Sequence, residues 1–186
     1  MFRPTTLLAM AALSTSLVAE DFGPVVKAAG LIFQGKNHFG VVCDVGRSQD
    51  LLADLQRAIP EGSTLTVVDT RHPMHLGAAS SVIRRRGVQL LALLPRDPLV
   101  HDGSAFATSL VKQLAGTIPA FGTTPAALKN GCAMAMGQAT NWELLFNPKL
   151  LDLDLQRGVI EDITITPWQN GTKGGPATLD LVFHYK

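Results

Sequence analysis

The chain has 186 residues, a length typical of a single domain. Apolar residues make up 46% and charged residues 17% of it, which supports a packed core and excludes a disordered chain. The 16 Lys and Arg nearly balance the 15 Asp and Glu, so the sequence offers no broad basic surface for nucleic acid. Its 2 cysteines are too few for a disulfide framework or a four-cysteine zinc site.

The N-terminal residues have the pattern of a secretory signal peptide. Arg3 is followed by an uncharged apolar or small stretch, 7–17, and Ala19 precedes two acidic residues. This order predicts cleavage after Ala19, although an ordinary N-terminal helix is the alternative. The apolar stretch is too short to span a bilayer. We therefore expect residues 1–19 to be a signal peptide and 20–186 to form one domain, in the periplasm or secreted.

From residue 39 onward, short apolar runs alternate with segments of helical period. Strands that are apolar on both faces and alternate with helices indicate a parallel sheet covered on both sides. We predict an α/β fold with an open, doubly wound, mostly parallel sheet of about five strands. The predicted strands are 39–45, 64–68, 88–94, 118–121 and 132–136, and the predicted helices are 49–59, 75–86, 104–115 and a short helix after Thr124.

The C-terminal part breaks this alternation. Residues 142–146 are predicted to form a strand that returns against 132–138. The segments 159–168 and 178–185 alternate with period 2, and the turn-rich segment 169–175 connects them. These patterns predict an appended C-terminal antiparallel hairpin at one edge of the parallel sheet.

Polar residues cluster in the loops that follow the predicted parallel strands. In open α/β sheets, ligands bind beyond the carboxyl ends of the strands, where helix N-termini direct their N–H groups. Three of the four loops also carry an arginine. This pattern predicts a crevice for a small polar or anionic ligand, although loops are polar without any ligand. The candidate ligand-binding residues are Asp44, Arg47, Ser48, Arg71, His72, Arg96, Thr123 and Thr124.

Soft metal ligands occur at two places. The loop 72–75 reads His-Pro-Met-His, while Cys132, Met134 and Met136 occupy alternate positions that should share one strand face. Imidazole, thiolate and thioether groups suit copper. Buried Met and Cys nevertheless pack equally well as apolar residues, so we predict no metal and no other cofactor.

Cys43 and Cys132 fall on the first and fifth predicted strands. In the expected sheet order two strands separate them, which at about 4.8 Å per strand places them roughly 14 Å apart. A disulfide needs Cα atoms within about 7 Å. We therefore expect two buried free thiols.

Catalytic motifs are scarce in the sequence. It contains no nucleophile elbow, dinucleotide-binding motif or P-loop. Residues 101–104 (His-Asp-Gly-Ser) supply triad residue types, but a triad requires them to converge in space, and we interpret Ser104 as a helix cap. A non-enzymatic protein is favoured. The alternative is an exported hydrolase that uses strand-end groups such as Asp44, His72 or His101.

Three stretches of the chain carry a family resemblance. The segments 118–124 (IPAFGTT) and 127–137 (ALKNGCAMAMG) resemble the later part of periplasmic-binding-like lobes, those of ABC-type substrate-binding proteins. The segment 143–151 (ELLFNPKLL) is also similar to small exported YfiR-like proteins, which have one such lobe. The resemblance covers about residues 39–155.

This resemblance implies a non-enzymatic periplasmic protein. Such a protein binds a small molecule or regulates a membrane partner, for example a membrane-bound sensor or a transport permease. Two departures bear on that expectation. A complete substrate-binding protein has two lobes and this chain has room for one, and the predicted hairpin at 159–185 has no counterpart in the family.

Overall fold

The computed structural model describes residues 22–136 and two further strands, 143–146 and 177–180. The predicted signal peptide and the predicted strand 159–168 lie outside the described residues. The helices are α1 (Gly23–Ile32), α2 (Gln49–Ala58), α3 (Leu76–Arg85), α4 (Ala105–Leu114) and α5 (Ala126–Lys129). The strands are β1 (His38–Cys43), β2 (Thr64–Asp69), β3 (Leu90–Ala92), β4 (Ala120–Gly122), β5 (Met134–Met136), β6 (Glu143–Phe146) and β7 (Ala177–Asp180).

The strands form one sheet in the order β2-β1-β3-β4-β5-β6-β7. The first five are parallel. One α-helix lies in each connection between successive parallel strands. The sheet grows in both directions from β1, because β2 lies on one side of β1 and β3 lies on the other. The predicted α/β fold with a doubly wound parallel sheet of five strands is confirmed.

The antiparallel part of the prediction is confirmed for its first strand. β6 pairs antiparallel with β5, as expected for 142–146. β7 overlaps the predicted strand 178–185 and pairs antiparallel with β6. The predicted pairing of that strand with 159–168 lies outside the described residues.

Each face of the parallel sheet carries its own core, because side chains alternate across every strand. On β1, Phe39 and Val41 pack in the cluster that includes α1 and α2. Val42 packs on the other face in the cluster that includes α3 and α4. None of the described helices is long and apolar enough to cross a membrane.

The amphipathic pattern of α4 explains how a helix joins this core. Its buried residues recur at a spacing of three or four: Ala107, Leu110, Val111 and Leu114. The helix begins where the Ser104 hydroxyl oxygen accepts a hydrogen bond from the Ala107 N–H at 3.0 Å. The predicted role of Ser104 as a helix cap is confirmed.

Gly40 in the middle of β1 marks a close approach between the sheet and the end of α3. A Cβ atom at this position would lie 2.7 Å from Val88 Cγ1 and 2.9 Å from Ile83 Cδ1. Overpacking of this kind typically costs 1–3 kcal/mol.

Gly40→Ala should therefore lower the free energy of unfolding by about 1–3 kcal/mol in a urea titration. Gly77→Ala is the matched control, because Gly77 lies in α3 with no atom within 4 Å of its Cβ position. Alanine has the higher helix propensity, so this control should leave the protein as stable or slightly more stable. Equal destabilisation by both substitutions would contradict the close approach.

Candidate functional site at the carboxyl edge of the sheet

Two buried aspartates in one loop organise the edge at which the parallel strands end. Asp97 and Asp102, which are 1% and 7% exposed, both lie in the β3–α4 loop, residues 93–104. β3 is the central parallel strand, with β1 on one side and β4 on the other. The loop after β3 can therefore reach the strand-end loops of both neighbours.

Asp97 binds the loop that follows β1. Its Oδ2 accepts hydrogen bonds from the Asp44 N–H at 2.8 Å and from the Ser48 hydroxyl at 2.7 Å. Its Oδ1 accepts the N–H groups of Leu99 and Val100 at 2.9 and 2.6 Å. One carboxylate thus shapes its own loop and fixes the start of α2. Ser48 occupies the N-cap position of α2, but its side chain bonds to Asp97 and makes no capping bond.

Asp102 binds the loop that follows β4. Its Oδ2 accepts the N–H groups of Thr123 at 3.1 Å and of Thr124 at 2.9 Å. Gly122 permits this approach, because a Cβ atom there would lie 2.6 Å from Asp102 Oδ1 and 2.4 Å from the Ala127 Cβ. The β4 loop and the β3–α4 loop are therefore in direct contact.

Asn130, at the end of α5, adds a second link to the β3–α4 loop. Its Oδ1 accepts the Gly103 N–H at 2.6 Å. Its Nδ2 donates to the Ser104 carbonyl and to the Thr108 hydroxyl, both at 2.8 Å. Asn130 is buried, so its donor and acceptor atoms need these partners.

These bonds use the polar groups that a ligand crevice would offer. Three candidate contacts for an anion are the N–H groups of Thr123 and Thr124 and the hydroxyl of Ser48. Each of them donates a hydrogen bond to one of the chain's own carboxylates. The Thr123 hydroxyl is buried and makes no hydrogen bond within the described residues. These three residues do share the carboxyl edge, but their donors face inward. Their role in ligand binding stays a prediction.

Asp44 is partly buried, and the remaining candidate residues lie on the exposed part of the same edge. Arg47 Nε lies 3.9 Å from Asp44 Oδ2, and Arg71 Nη2 lies 3.1 Å from Asp69 Oδ2. Exposed ion pairs contribute little to stability, so these arginines remain available to a partner. His72 and Arg96 are exposed as well. We call the exposed edge residues Arg47, Arg71, His72, Met74, His75 and Arg96 the basic rim.

The residues proposed for a hydrolase do not form a linked acid–base pair. Asp44 is bonded through its N–H to Asp97 and paired with Arg47. The His101 ring bonds through Nδ1 to the Asp102 carbonyl at 2.8 Å. Within the described residues, no hydrogen bond or ion pair joins any two of Asp44, His72 and His101.

The two sets of soft metal ligands are separate in the structure. The His72 and His75 rings are 5.8 Å apart and nearly perpendicular, on the exposed loop before α3. Cys132 packs in the α3–α4 core, whereas Met134 and Met136 pack in the α1–α2 core. The expectation that these three share one face was wrong, because β5 begins only at Met134 and the bend at residue 133 breaks the alternation. In residues 22–136 no group of three or more His, Cys, Asp and Glu could hold a metal.

Both cysteines are buried free thiols, and β3 and β4 separate β1 from β5 as expected. Burial raises the pKa of Cys43 to about 12, with further contributions from the carboxylates of Asp97, Asp69 and Asp44. Burial raises the pKa of Cys132 as well, with a contribution from Asp102. A raised pKa lowers the fraction of thiolate, the reactive form, at neutral pH.

A cleft of about 310 Å³ opens at the opposite edge of the sheet, where the parallel strands begin. It lies between the residues after α1 and the end of α4, and Phe33, Lys36, Val111 and Ile118 help to line it. Sequence reasoning missed this cleft because most of its lining is apolar or small. No cluster of polar residues marks it.

Comparisons with known proteins leave the family open. No protein-family model matches the chain, and no curated protein matches its sequence. Among solved structures, an O-acetylhomoserine sulfhydrylase of Wolinella succinogenes has a TM-score of 0.40 and 15% identity. That match covers 86% of this chain but 40% of the enzyme chain. A likeness at this level carries no argument about function.

The bonds to Asp97 predict a large loss of stability when its carboxylate is removed. Asp97→Ala should lower the free energy of unfolding by about 3–5 kcal/mol in urea, because a buried donor without an acceptor costs about 1–3 kcal/mol. Asp50→Ala, an exposed aspartate in the first turn of α2, is the control and should cost less than about 1 kcal/mol. A similar small cost for both would show that Asp97 does not hold the loops.

The raised thiol pKa of Cys43 predicts a loss of stability in alkaline solution. The unfolded chain releases its thiol protons above about pH 8.5 while the folded chain keeps them, so the free energy of unfolding falls as pH rises. Cys43→Ala should reduce this slope by up to about 1.4 kcal/mol per pH unit. Urea titrations of both proteins from about pH 8 to 11 measure it, and equal slopes would contradict the raised pKa.

Proposed function

We propose that this chain is an exported, non-enzymatic periplasmic protein that acts by contact with a membrane-bound partner, a sensor or a transport permease. The resemblance to one lobe of ABC-type substrate-binding proteins and to YfiR-like proteins supports this proposal. The observation that carries it is that the carboxylates of Asp97 and Asp102 accept hydrogen bonds from the backbone N–H groups at the strand ends.

The occupied donors favour a macromolecular partner over a small anion at the carboxyl edge. N–H groups at strand ends are the usual donors to a polar or anionic ligand. Here Asp44, Thr123 and Thr124 already donate theirs to carboxylates. An incoming anion would have to displace a carboxylate and would be repelled by its charge.

The basic rim supplies the surface for such a contact. Met74 is 84% exposed, which is unusual for so apolar a side chain. Methionine adapts its shape and is frequent at contact surfaces. Arg71, His72 and His75 are exposed neighbours of Met74 in the chain, so the chemistry of this part of the rim fits an acidic partner surface with an apolar centre.

The chemistry of the described residues also favours contact over turnover. Covalent catalysis needs an activated nucleophile with a base in reach. The pKa values of both thiols are raised, and the Ser104 hydroxyl oxygen accepts the Ala107 N–H as a helix cap. These observations support the non-enzymatic proposal over the hydrolase alternative.

Photo-crosslinking in the native host tests the proposal. A photoreactive amino acid at position 74 should give an adduct with an integral membrane protein, and the same label at the exposed Gln56 on α2 should not. Arg71→Glu should reduce the adduct several-fold, because it reverses a rim charge. Arg57→Glu is the matched control, since Arg57 is also exposed and paired with an aspartate, Asp54, but lies near the other end of α2.

Export is checked on the same material by intact mass, which should show a chain that begins at residue 20. Absence of any membrane-protein adduct at position 74 would overturn the contact proposal. A chain that keeps residues 1–19 in the cytoplasm would overturn export. Hydrolytic activity that is lost on His101→Ala would establish the enzyme instead.

A further inference from the structure

β2 is an edge strand with few features that would prevent it from pairing with a strand of another chain. It ends the sheet on one side, and it pairs with β1 without interruption from Thr64 to Asp69, so no bulge breaks it. Val67, in the middle of the strand, is 40% exposed. Natural edge strands are usually blocked by proline, lysine, a bulge or a covering segment. The sequence of β2, TLTVVD, contains neither proline nor lysine.

The backbone of β2 shows which groups face outward. The Thr64 N–H donates to the Asn37 carbonyl at 2.9 Å, and the Thr70 N–H donates to the Cys43 carbonyl at 2.8 Å. Backbone groups of successive strand residues point to opposite sides, so the even-numbered residues bond to β1. Leu65, Val67 and Asp69 therefore direct their N–H and C=O groups away from the sheet.

We propose that two copies of this chain pair through β2 in an antiparallel, two-fold symmetric dimer. The dimer shares Arg71 with the basic rim, but it is argued from the edge position and backbone of β2 and not from the proposed function. The outward groups of one copy can bond only to outward groups of the other, which requires odd-numbered residues to face odd-numbered residues. A two-fold axis at Thr66 meets this condition, since it places Leu65 of each copy opposite Val67 of the other. These two pairs would exchange about four backbone hydrogen bonds.

The side chains fit the same register. Leu65 and Val67 are two residues apart and so lie on one face of the strand, and Leu65 packs against the α1–α2 core. In the dimer each Val67 would contact Leu65 of the other copy. The half-exposed valine would then be covered by an extension of an existing core.

Charges at the two ends of β2 favour antiparallel over parallel pairing. Glu61 precedes the strand and Arg71 follows it, both exposed, and each is five residues from Thr66. Antiparallel pairing about Thr66 brings the turn that carries Glu61 in one copy near Arg71 of the other, twice. Parallel pairing would bring Glu61 beside Glu61. Such exposed charges set register and orientation more than affinity.

Sedimentation of the mature protein over a wide concentration range tests the dimer. The wild-type protein should be dimeric, and Val67→Lys should make it monomeric by placing a charge at the centre of the interface. Leu31→Lys is the matched control, because Leu31 on α1 is 39% exposed and also apolar. It should remain dimeric. A wild-type protein that is monomeric throughout, or a Val67→Lys protein that stays dimeric, would overturn the proposal.

A charge swap tests the antiparallel pairing. Glu61→Arg should weaken the dimer by bringing like charges together, and adding Arg71→Glu should restore it. Failure of the second substitution to restore association would overturn the antiparallel pairing. Hydrogen exchange gives a further check, since the Leu65 and Val67 amides should gain protection as the dimer forms. Protection of these amides in a monomer would mean that another part of the chain covers β2, which would also overturn the proposal.

Discussion

The carboxyl edge of this sheet depends on charge-assisted hydrogen bonds from one loop to its two neighbours. The backbone N–H groups just beyond the ends of parallel strands have no acceptor within the sheet. A buried N–H group needs a hydrogen-bond acceptor. The β3–α4 loop supplies acceptors to both sides, Asp97 toward the β1 loop and Asp102 toward the β4 loop. Without these carboxylates the central strands would still pair, but the loops beyond them would lack a fixed conformation.

The same carboxylates limit what the edge can do. Burial is the main cause of the raised pKa of both thiols, and Asp97 adds to it at Cys43 and Asp102 at Cys132. The carboxylates therefore satisfy backbone donors and also disfavour the thiolate form of the nearby sulfur atoms. A rigid edge with an exposed outer layer is suited to recognition by shape and charge. This is the physical basis for preferring contact over chemistry in the proposed function.

The sequence was sufficient to predict the layers of the fold but not the interior of the site. Strand and helix order follow from apolar period, which local residues determine, and α4 with its Ser104 cap is one such element. The role of Asp97 depends on a partner 53 residues away. Nothing in the local pattern distinguishes a buried aspartate from a polar loop residue. The Ser48 hydroxyl is a similar case, because it donates to Asp97, 49 residues away, and makes no capping bond to its own helix.

The distance in sequence between these partners has a consequence for how the chain completes its fold. The Asp44 N–H cannot be satisfied by Asp97 until the chain through β3 is present, although β1, α2 and β2 precede it. Asp102 then requires Thr123 and Thr124, 21 and 22 residues later. In a nascent chain that stops before the β3–α4 loop, the N–H groups at the strand ends can bond only to water. The β3–α4 loop can therefore join the first half of the sheet to the second only after the chain has been made as far as Thr124.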